Sequence, residues 1–249
     1  MPAISLRFEG VSRRFGATLA VDDVSLKIAG GSFVALVGTS GSGKSTLLKT
    51  VNRLVEPSAG RVLIADADVA DAPAPILRRG IGYVFQEVGL FPHMTVAENV
   101  AIGARIAGKT ADVGALLDLV SLPRELAARM PAELSGGQRQ RVGIARALAP
   151  GARLLLLDEA MGALDPVTRD ALGGEIRRLH DRLGLTTILV THDMAEALLL
   201  ADRVLVMTAG RIVADATPAT LLAGGGGDAA QALVAVPRDQ AERLRVLAG

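Results

Sequence analysis

The sequence predicts an α/β fold: a largely parallel sheet, a small antiparallel sheet beside it, and a helical subdomain inserted between strands. Three observations predict it. The run Phe33-Val34-Ala35-Leu36-Val37 is a short apolar strand, and a glycine-rich turn and the helix-forming Leu47-Leu48-Lys49-Thr50-Val51 follow it. Over residues 97–148, Ala, Leu and Val recur at helical spacings. Beyond that, strands and helices alternate, which implies a largely parallel sheet. At 249 residues the chain suits one large α/β unit with inserted subdomains.

In chain order, residues 4–8, 24–28 and 60–66 read as short strands near turns, flanking the glycine-rich unit as the antiparallel sheet. The helical stretch breaks near Gly108 and at Pro123 and Pro131, and reads as a subdomain of about residues 87–150. Strand signals return over residues 154–157, 186–190 and 203–207, with a helix over roughly 166–183 between the first two. Ala209-Gly210 followed by Arg211-Ile212-Val213-Ala214 predicts a hairpin return. Gly224 to Gly227 reads as a flexible break, with a short helix over residues 239–247 beyond it. This gives one domain over residues 1–222 and a short extension over 223–249, without an internal repeat.

The glycine-rich turn carries chemistry. Gly38-Thr39-Ser40-Gly41-Ser42-Gly43-Lys44-Ser45-Thr46 contains the full pattern G-x-x-x-x-G-K-[ST], between a strand and a helix. Glycines let the main chain fold around phosphates, so that backbone N–H groups and the positive end of the helix face the negative charge. Lys44 reaches the terminal phosphates in such a loop, and the Ser45 hydroxyl suits Mg²⁺, a hard cation that prefers oxygen. The pattern predicts a nucleoside triphosphate site. The bland alternative, a glycine turn with a stray lysine, is set aside by a second constellation downstream.

Composition excludes several classes. No apolar stretch approaches the ~18 residues of a membrane span. The segment Met1-Pro2-Ala3-Ile4-Ser5-Leu6-Arg7-Phe8-Glu9 lacks the regions of a secretion signal, so a cytoplasmic chain is expected. There is no cysteine, hence no disulfide and no thiolate metal site. A net charge of +1, with five Phe, one Tyr and no Trp, offers neither a basic face nor stacking platforms for nucleic acid.

Leu154-Leu155-Leu156-Leu157-Asp158-Glu159 is an apolar strand ending in two acids, at the sheet edge where ligands bind. Asp158 suits Mg²⁺, commonly through water, and Glu159 suits polarising the water that attacks a terminal phosphate. Shortly before it lies Leu134-Ser135-Gly136-Gly137-Gln138-Arg139-Gln140-Arg141-Val142, a Ser-Gly-Gly turn opening a helix. With the phosphate loop before and the acidic strand after it, this segment resembles the signature motif of the ATP-binding cassette (ABC) family.

That resemblance covers roughly residues 4–222 and implies a P-loop NTPase (RecA-like) core that binds and hydrolyses ATP with Mg²⁺. It implies that Ser135, Gly136, Gly137 and Gln138 contact ATP held by a partner's phosphate loop in a head-to-tail homodimer. Phe15 matches the aromatic that stacks on adenine, where tyrosine is more usual; a partly buried core Phe is the alternative. Gln86 matches the glutamine that touches Mg²⁺ and the attacking water, the alternative being a polar strand terminus. Asp165 matches the loop crossing the dimer interface, and His192 the histidine that hydrogen-bonds the terminal phosphate. His93 and His180 are left as loop and surface residues. The sequence departs from the family at Ala160 and Gly162, where proline and serine are frequent, and at Met161.

The whole looks like the ATPase subunit of an ABC transporter, at the cytoplasmic face of the plasma membrane with transmembrane permease subunits and, indirectly, a substrate-binding protein. Segments 89–96, 162–169 and 192–198 look most like bacterial importers of compatible solutes such as glycine betaine, choline or carnitine. Larger members of that group carry paired C-terminal regulatory domains, which the tail after Gly227 has no room for. Residues 86–95, with apolar Phe91, Pro92 and Met94, are expected to dock a cytoplasmic helix of the permease, unless Phe91 and Met94 anchor the loop to the helical subdomain. The competing classes are an importer of another small solute, a soluble ABC ATPase acting on DNA or ribosomes, and a small-molecule kinase. The second usually carries two cassettes or a long coiled coil; the third gives the signature no role.

Overall fold

The computed structural model describes residues 3–247; Met1 and Pro2, which begin the segment read for a secretion signal, and residues 248 and 249 of the extension lie outside it. Two sheets form. Strands β1 (Leu6–Phe15), β2 (Thr18–Ile28), β4 (Ala59–Ile64) and β5 (Ala67–Asp68) make an antiparallel sheet in the order β2-β1-β4-β5. The larger sheet uses β3 (Phe33–Val37), β6 (Ile81–Val84), β7 (Leu154–Asp158), β8 (Thr186–Thr191), β9 (Arg203–Thr208) and β10 (Arg211–Ala216), in the order β10-β9-β3-β8-β7-β6. All its pairs are parallel except the edge pair β9 and β10, whose turn at Ala209 and Gly210 has both residues at positive φ.

The helices are α1 (Lys44–Val51), α2 (Ala74–Arg79), α3 (Val96–Ile106), α4 (Val113–Leu119), α5 (Gly136–Leu148), α6 (Pro166–Leu183), α7 (Met194–Leu200), α8 (Pro218–Leu222) and α9 (Gly227–Leu247). The central strands read as unbroken apolar runs because both of their faces are buried. On β7, Leu155 and Leu157 enter a core with α3 to α7, while Leu154 and Leu156 enter a second core with α1 and the antiparallel sheet. Helix α6 starts where Asp165 caps it and Pro166 opens it, and stops at Gly184 in the left-handed region.

Two expectations need correction. His180 is buried, not a surface residue: its Nδ1 lies 3.0 Å from Thr187 Oγ1, its ring packs 5.2 Å from Phe33, and burial lowers its pKa. The C-terminal helix begins at Gly227 rather than near residue 239, and residues 224–227 form an ordered turn held by Gln231, whose Nε2 donates to Leu221 O and Gly225 O. The four glycines and Pro237 hid that helix in the sequence, since both residue types count against one; burial of Ala230 and Val234 against the body outweighs them.

One buried side chain organises the loop before α3. Asn99, fully buried, accepts from Phe91 N (2.7 Å) and donates to the carbonyls of Phe91 (3.1 Å), Met94 (3.0 Å) and Thr95 (3.0 Å). Asn99→Ala strands those groups, so a loss of about 2 kcal/mol is expected, a fall in Tm of roughly 4–8 °C for a chain of this size. A thermal melt checks it; an unchanged Tm would mean the loop holds its shape without Asn99.

Candidate functional site

The parallel register brings three loops to one place. Val37 at the end of β3 pairs with Thr191 at the end of β8, and Asp158 at the end of β7 pairs with Val190. The glycine loop, Glu159 and His192 therefore leave the sheet from the same carboxyl edge. Gly38, Gly41 and Gly43 have φ of 152°, 77° and 104°, values that side chains disfavour and that curl the loop around the start of α1. The turn is anchored from β9 and β10 by Gly210 N donating to Ser42 O (2.9 Å). Thr39 and Ser40 lie exposed on its outer side, and Thr46 is half-buried in the first turn of α1.

Lys44 is buried, and its Nζ donates to Gly38 O (2.8 Å) and Thr39 O (2.9 Å), with Ser42 Oγ at 3.4 Å. Burial lowers its pKa, against the charges of Glu159 and Asp158, which raise it. Asp158 is the hub: Ser45 Oγ donates to Oδ1 (2.6 Å), Tyr83 OH donates to Oδ2 (2.7 Å), and Lys49 Nζ lies 3.3 Å from Oδ2. Burial, and then the Asp158 carboxylate, push the Tyr83 phenol well above its ordinary range. Ser45 and Asp158 are hard oxygen donors brought together, and no group of three or more His, Cys, Asp or Glu surrounds them among the described residues. That sparse set fits Mg²⁺, which takes most of its ligands from phosphates and water.

Glu159 sits at φ 50°, in the left-handed region, its N–H donating to Val190 O (3.0 Å). Non-glycine residues held there cluster at functional sites. Its Oε2 lies 3.6 Å from His192 Nδ1. His192 is exposed at the head of α7, which Asp193 caps by accepting from Ala195 N and Glu196 N. Lys44, Ser45, Asp158, Glu159 and His192 thus converge.

The other predicted residues lie apart from that cluster. Ser135 is exposed at the N-terminus of α5 in a reciprocal cap: its Oγ accepts from Gln138 N (3.2 Å) and its N donates to Gln138 Oε1 (2.9 Å). Gly136 is exposed and Gly137 buried against Thr168. Asp165 is exposed, its pKa lowered by hydrogen bonds from Thr168. Gln86 is exposed and, among the described residues, has no hydrogen bond to Ser45 or Asp158; it lines a cavity of about 410 Å³ with Gly136, Arg139, Ala163 and Leu164. Phe15, at the tip of β1, is 46 % exposed with the Arg13 guanidinium 4.3 Å above one face of its ring, a surface aromatic rather than a core residue. At the departures from the family pattern, Met161 is buried and Ala160 O accepts from Gln140 Nε2.

Sequence reasoning missed Tyr83, Lys49 and Asn99. Signals were present for two of them: the chain's one tyrosine stands in the short run Ile81-Gly82-Tyr83-Val84-Phe85, where a buried hydroxyl needs a partner, and Lys49 follows Ser45 by one helical turn.

The family model described as ABC transporter matches residues 21–162. The chain is 49 % identical over 225 residues to the glycine betaine uptake system ATP-binding protein YehX of Escherichia coli K12, covering 87 % of this chain and 72 % of that protein. It is 47 % identical over 223 residues to the carnitine transport ATP-binding protein OpuCA of Listeria monocytogenes serotype 1/2a, covering 87 % of this chain but 56 % of that one. To a sulfate/thiosulfate import ATP-binding protein of Bordetella bronchiseptica it is 50 % identical over 218 residues, covering 84 % of this chain and 61 % of that one. Among solved structures, a post-hydrolysis dimer of the ATP-binding cassette MJ0796 bound to ADP and Pi matches with TM-score 0.76 and 31 % identity, covering 86 % of this chain and 98 % of the other.

Proposed function

This chain belongs to the ABC transporter family, as a cassette that binds and hydrolyses ATP, and from that premise we propose that it is the motor subunit of an importer of compatible solutes such as glycine betaine, choline or carnitine. The observation that carries the ATPase chemistry is the gathering of Lys44, Ser45, Asp158, Glu159 and His192 at one sheet edge. Phosphoryl transfer asks for positioning and charge stabilisation more than covalent chemistry. Lys44 and the loop amides hold the phosphates, Glu159 orients the attacking water and takes its proton, and His192 donates to the terminal phosphate. Ser45 and Asp158, with Gln86 in the assembled site, would hold Mg²⁺, whose charge would offset that of the phosphate oxygens. Phe15 stacks on the adenine. In a head-to-tail homodimer, exposed Ser135 and Gly136, with half-buried Gln138, face the nucleotide of the other copy, and Asp165 crosses between the sites.

No helix among the described residues is long and apolar enough to cross a membrane; in this reading a membrane partner couples the chain to transport. A groove of about 510 Å³ suits its cytoplasmic helix: Ile81, Tyr83, Phe85, Phe91 and Ile106 line it, with Arg78, Arg79 and Arg146 among them. Phe91 is 40 % exposed and Phe85 42 %, whereas Met94 is half-buried, and Asn99 fixes the backbone beneath Phe91. Exposed apolar clusters of this kind mark interaction sites. Phe91→Asp is expected to abolish co-purification with the membrane subunits while the isolated chain keeps its Tm and its ATP binding. A large fall in Tm, or undiminished co-purification, would place the docking surface elsewhere.

The cargo reading is supported by the relatives named for glycine betaine and carnitine. The sulfate/thiosulfate relative of comparable identity favours a second reading, an importer of another small solute. Proteoliposomes holding this chain with its membrane subunits decide: ATP-dependent uptake of labelled glycine betaine, choline or carnitine is expected. Uptake of sulfate alone would overturn the cargo.

A further inference from the structure

We infer that Tyr83 is a positioning residue for ATP hydrolysis: its hydroxyl, together with Lys49, clamps one oxygen of the Asp158 carboxylate so that the other stays turned toward Ser45. The inference rests on the reading of Ser45 and Asp158 as the Mg²⁺ pair.

A carboxylate on a single Cβ–Cγ bond can present either oxygen, so a metal-facing aspartate needs something to fix its rotation. Three elements converge to do so. Tyr83 on β6 is paired in parallel register with Leu156 on β7, two residues before Asp158 and therefore on the same face of the strand. Its side chain runs along that face to Oδ2 (2.7 Å). Ser45 and Lys49 stand one turn apart on α1, which packs against β7, and they divide the carboxylate: Ser45 Oγ at Oδ1 (2.6 Å), Lys49 Nζ at Oδ2 (3.3 Å). Tyr83 and Lys49 contact Oδ2 while Ser45 takes Oδ1, so the two sets of partners divide the carboxylate's oxygens between them. Asp158 is buried, which leaves little water to substitute for a lost donor. The phenol ring itself is held edge-on by Phe85, with centroids 4.5 Å apart. Partners that orient a metal ligand from behind are worth about 10–100-fold in metal affinity or activity.

The test uses the full chain with a non-hydrolysable ATP analogue, protein in excess over nucleotide, and Mn²⁺ followed by electron paramagnetic resonance. Tyr83→Phe keeps the ring and removes the hydroxyl. It is expected to weaken Mn²⁺ binding about tenfold, while metal-free nucleotide affinity stays at the wild-type value and the chain remains folded, its Tm lower by only a few degrees for the lost hydrogen bond. Lys49→Gln, at the more exposed half of the clamp, is expected to weaken it in the same direction. Wild-type Mn²⁺ affinity in Tyr83→Phe, with Asp158→Asn weakened, overturns the clamp and leaves the metal pair standing. Wild-type affinity in Asp158→Asn overturns the metal pair and the clamp together. Should Tyr83→Phe fail to fold, Lys49→Gln carries the test, and wild-type Mn²⁺ affinity there overturns the inference.

Discussion

Replacing Glu159 with glutamine is expected to lower ATP turnover by about a hundred- to ten-thousandfold, the range that loss of a positioned general base produces, while ATP affinity is retained. The amide matches the carboxylate in shape and cannot take a proton from the attacking water. The backbone at position 159, held in the left-handed region and bonded to Val190 O, does not depend on the side chain's charge. The phosphate loop and the Ser45–Asp158 contact are likewise untouched. Binding and hydrolysis therefore separate, and ATP-bound dimers accumulate because the step that ends them is slow. Size-exclusion chromatography with and without ATP, beside a phosphate-release assay, reads both halves. Hydrolysis at the wild-type rate in the variant would remove Glu159 from its role.

The parts of this site that were legible in the sequence are those in which consecutive residues make the geometry themselves. In Gly38 to Thr46, three glycines at positive φ, the Lys44 ammonium and the Ser45 hydroxyl are all set by one local turn. Asp165 and Ser135 could likewise be read as helix starts, because a cap is a contact between residues three apart. Helix α6 was legible at both ends because its capping Asp165, opening Pro166 and closing Gly184 are local signals too. Tyr83 to Asp158 and Arg141 to Glu175 span 75 and 34 residues, and those partners become neighbours only through the register of β6 on β7 and the packing of α5 on α6. No periodicity records such pairs. His180 misled for the same reason: among Arg and Asp at the end of α6 it looks solvent-facing, yet its own face of the helix lies on Phe33 and Thr187. Gln86 shows the limit from the other side: resemblance alone assigned it to the metal and the attacking water, and in the single chain it lines the cavity beside Gly136 and Leu164 instead of meeting Asp158.

The composite site yields the second large effect. If Ser135 serves the nucleotide of the partner copy, then Lys44→Ala and Ser135→Arg each disable both sites of a homodimer, because each site in it lacks one of the two parts. Mixed dimers behave differently. One site joins the two lesions; the other joins an intact Lys44 loop from one chain with an intact Ser135 from its partner. The geometry supports sharing: Ser135 caps the exposed start of α5, where unpaired helix N–H groups favour an anion, and the cavity beside it is lined by Gln86, Gly136 and Leu164 with no residue of its own phosphate loop. Arginine at position 135 removes the cap and fills that approach with a long side chain. With Glu159→Gln in every chain, so that ATP once sandwiched is retained, isolated mixed dimers are expected to trap one ATP and either homodimer none. If each chain instead completed its own site, neither partner in the mixed dimer would hold an intact set. Finding no trapped ATP in the mixed dimers would then place Ser135 outside the shared site.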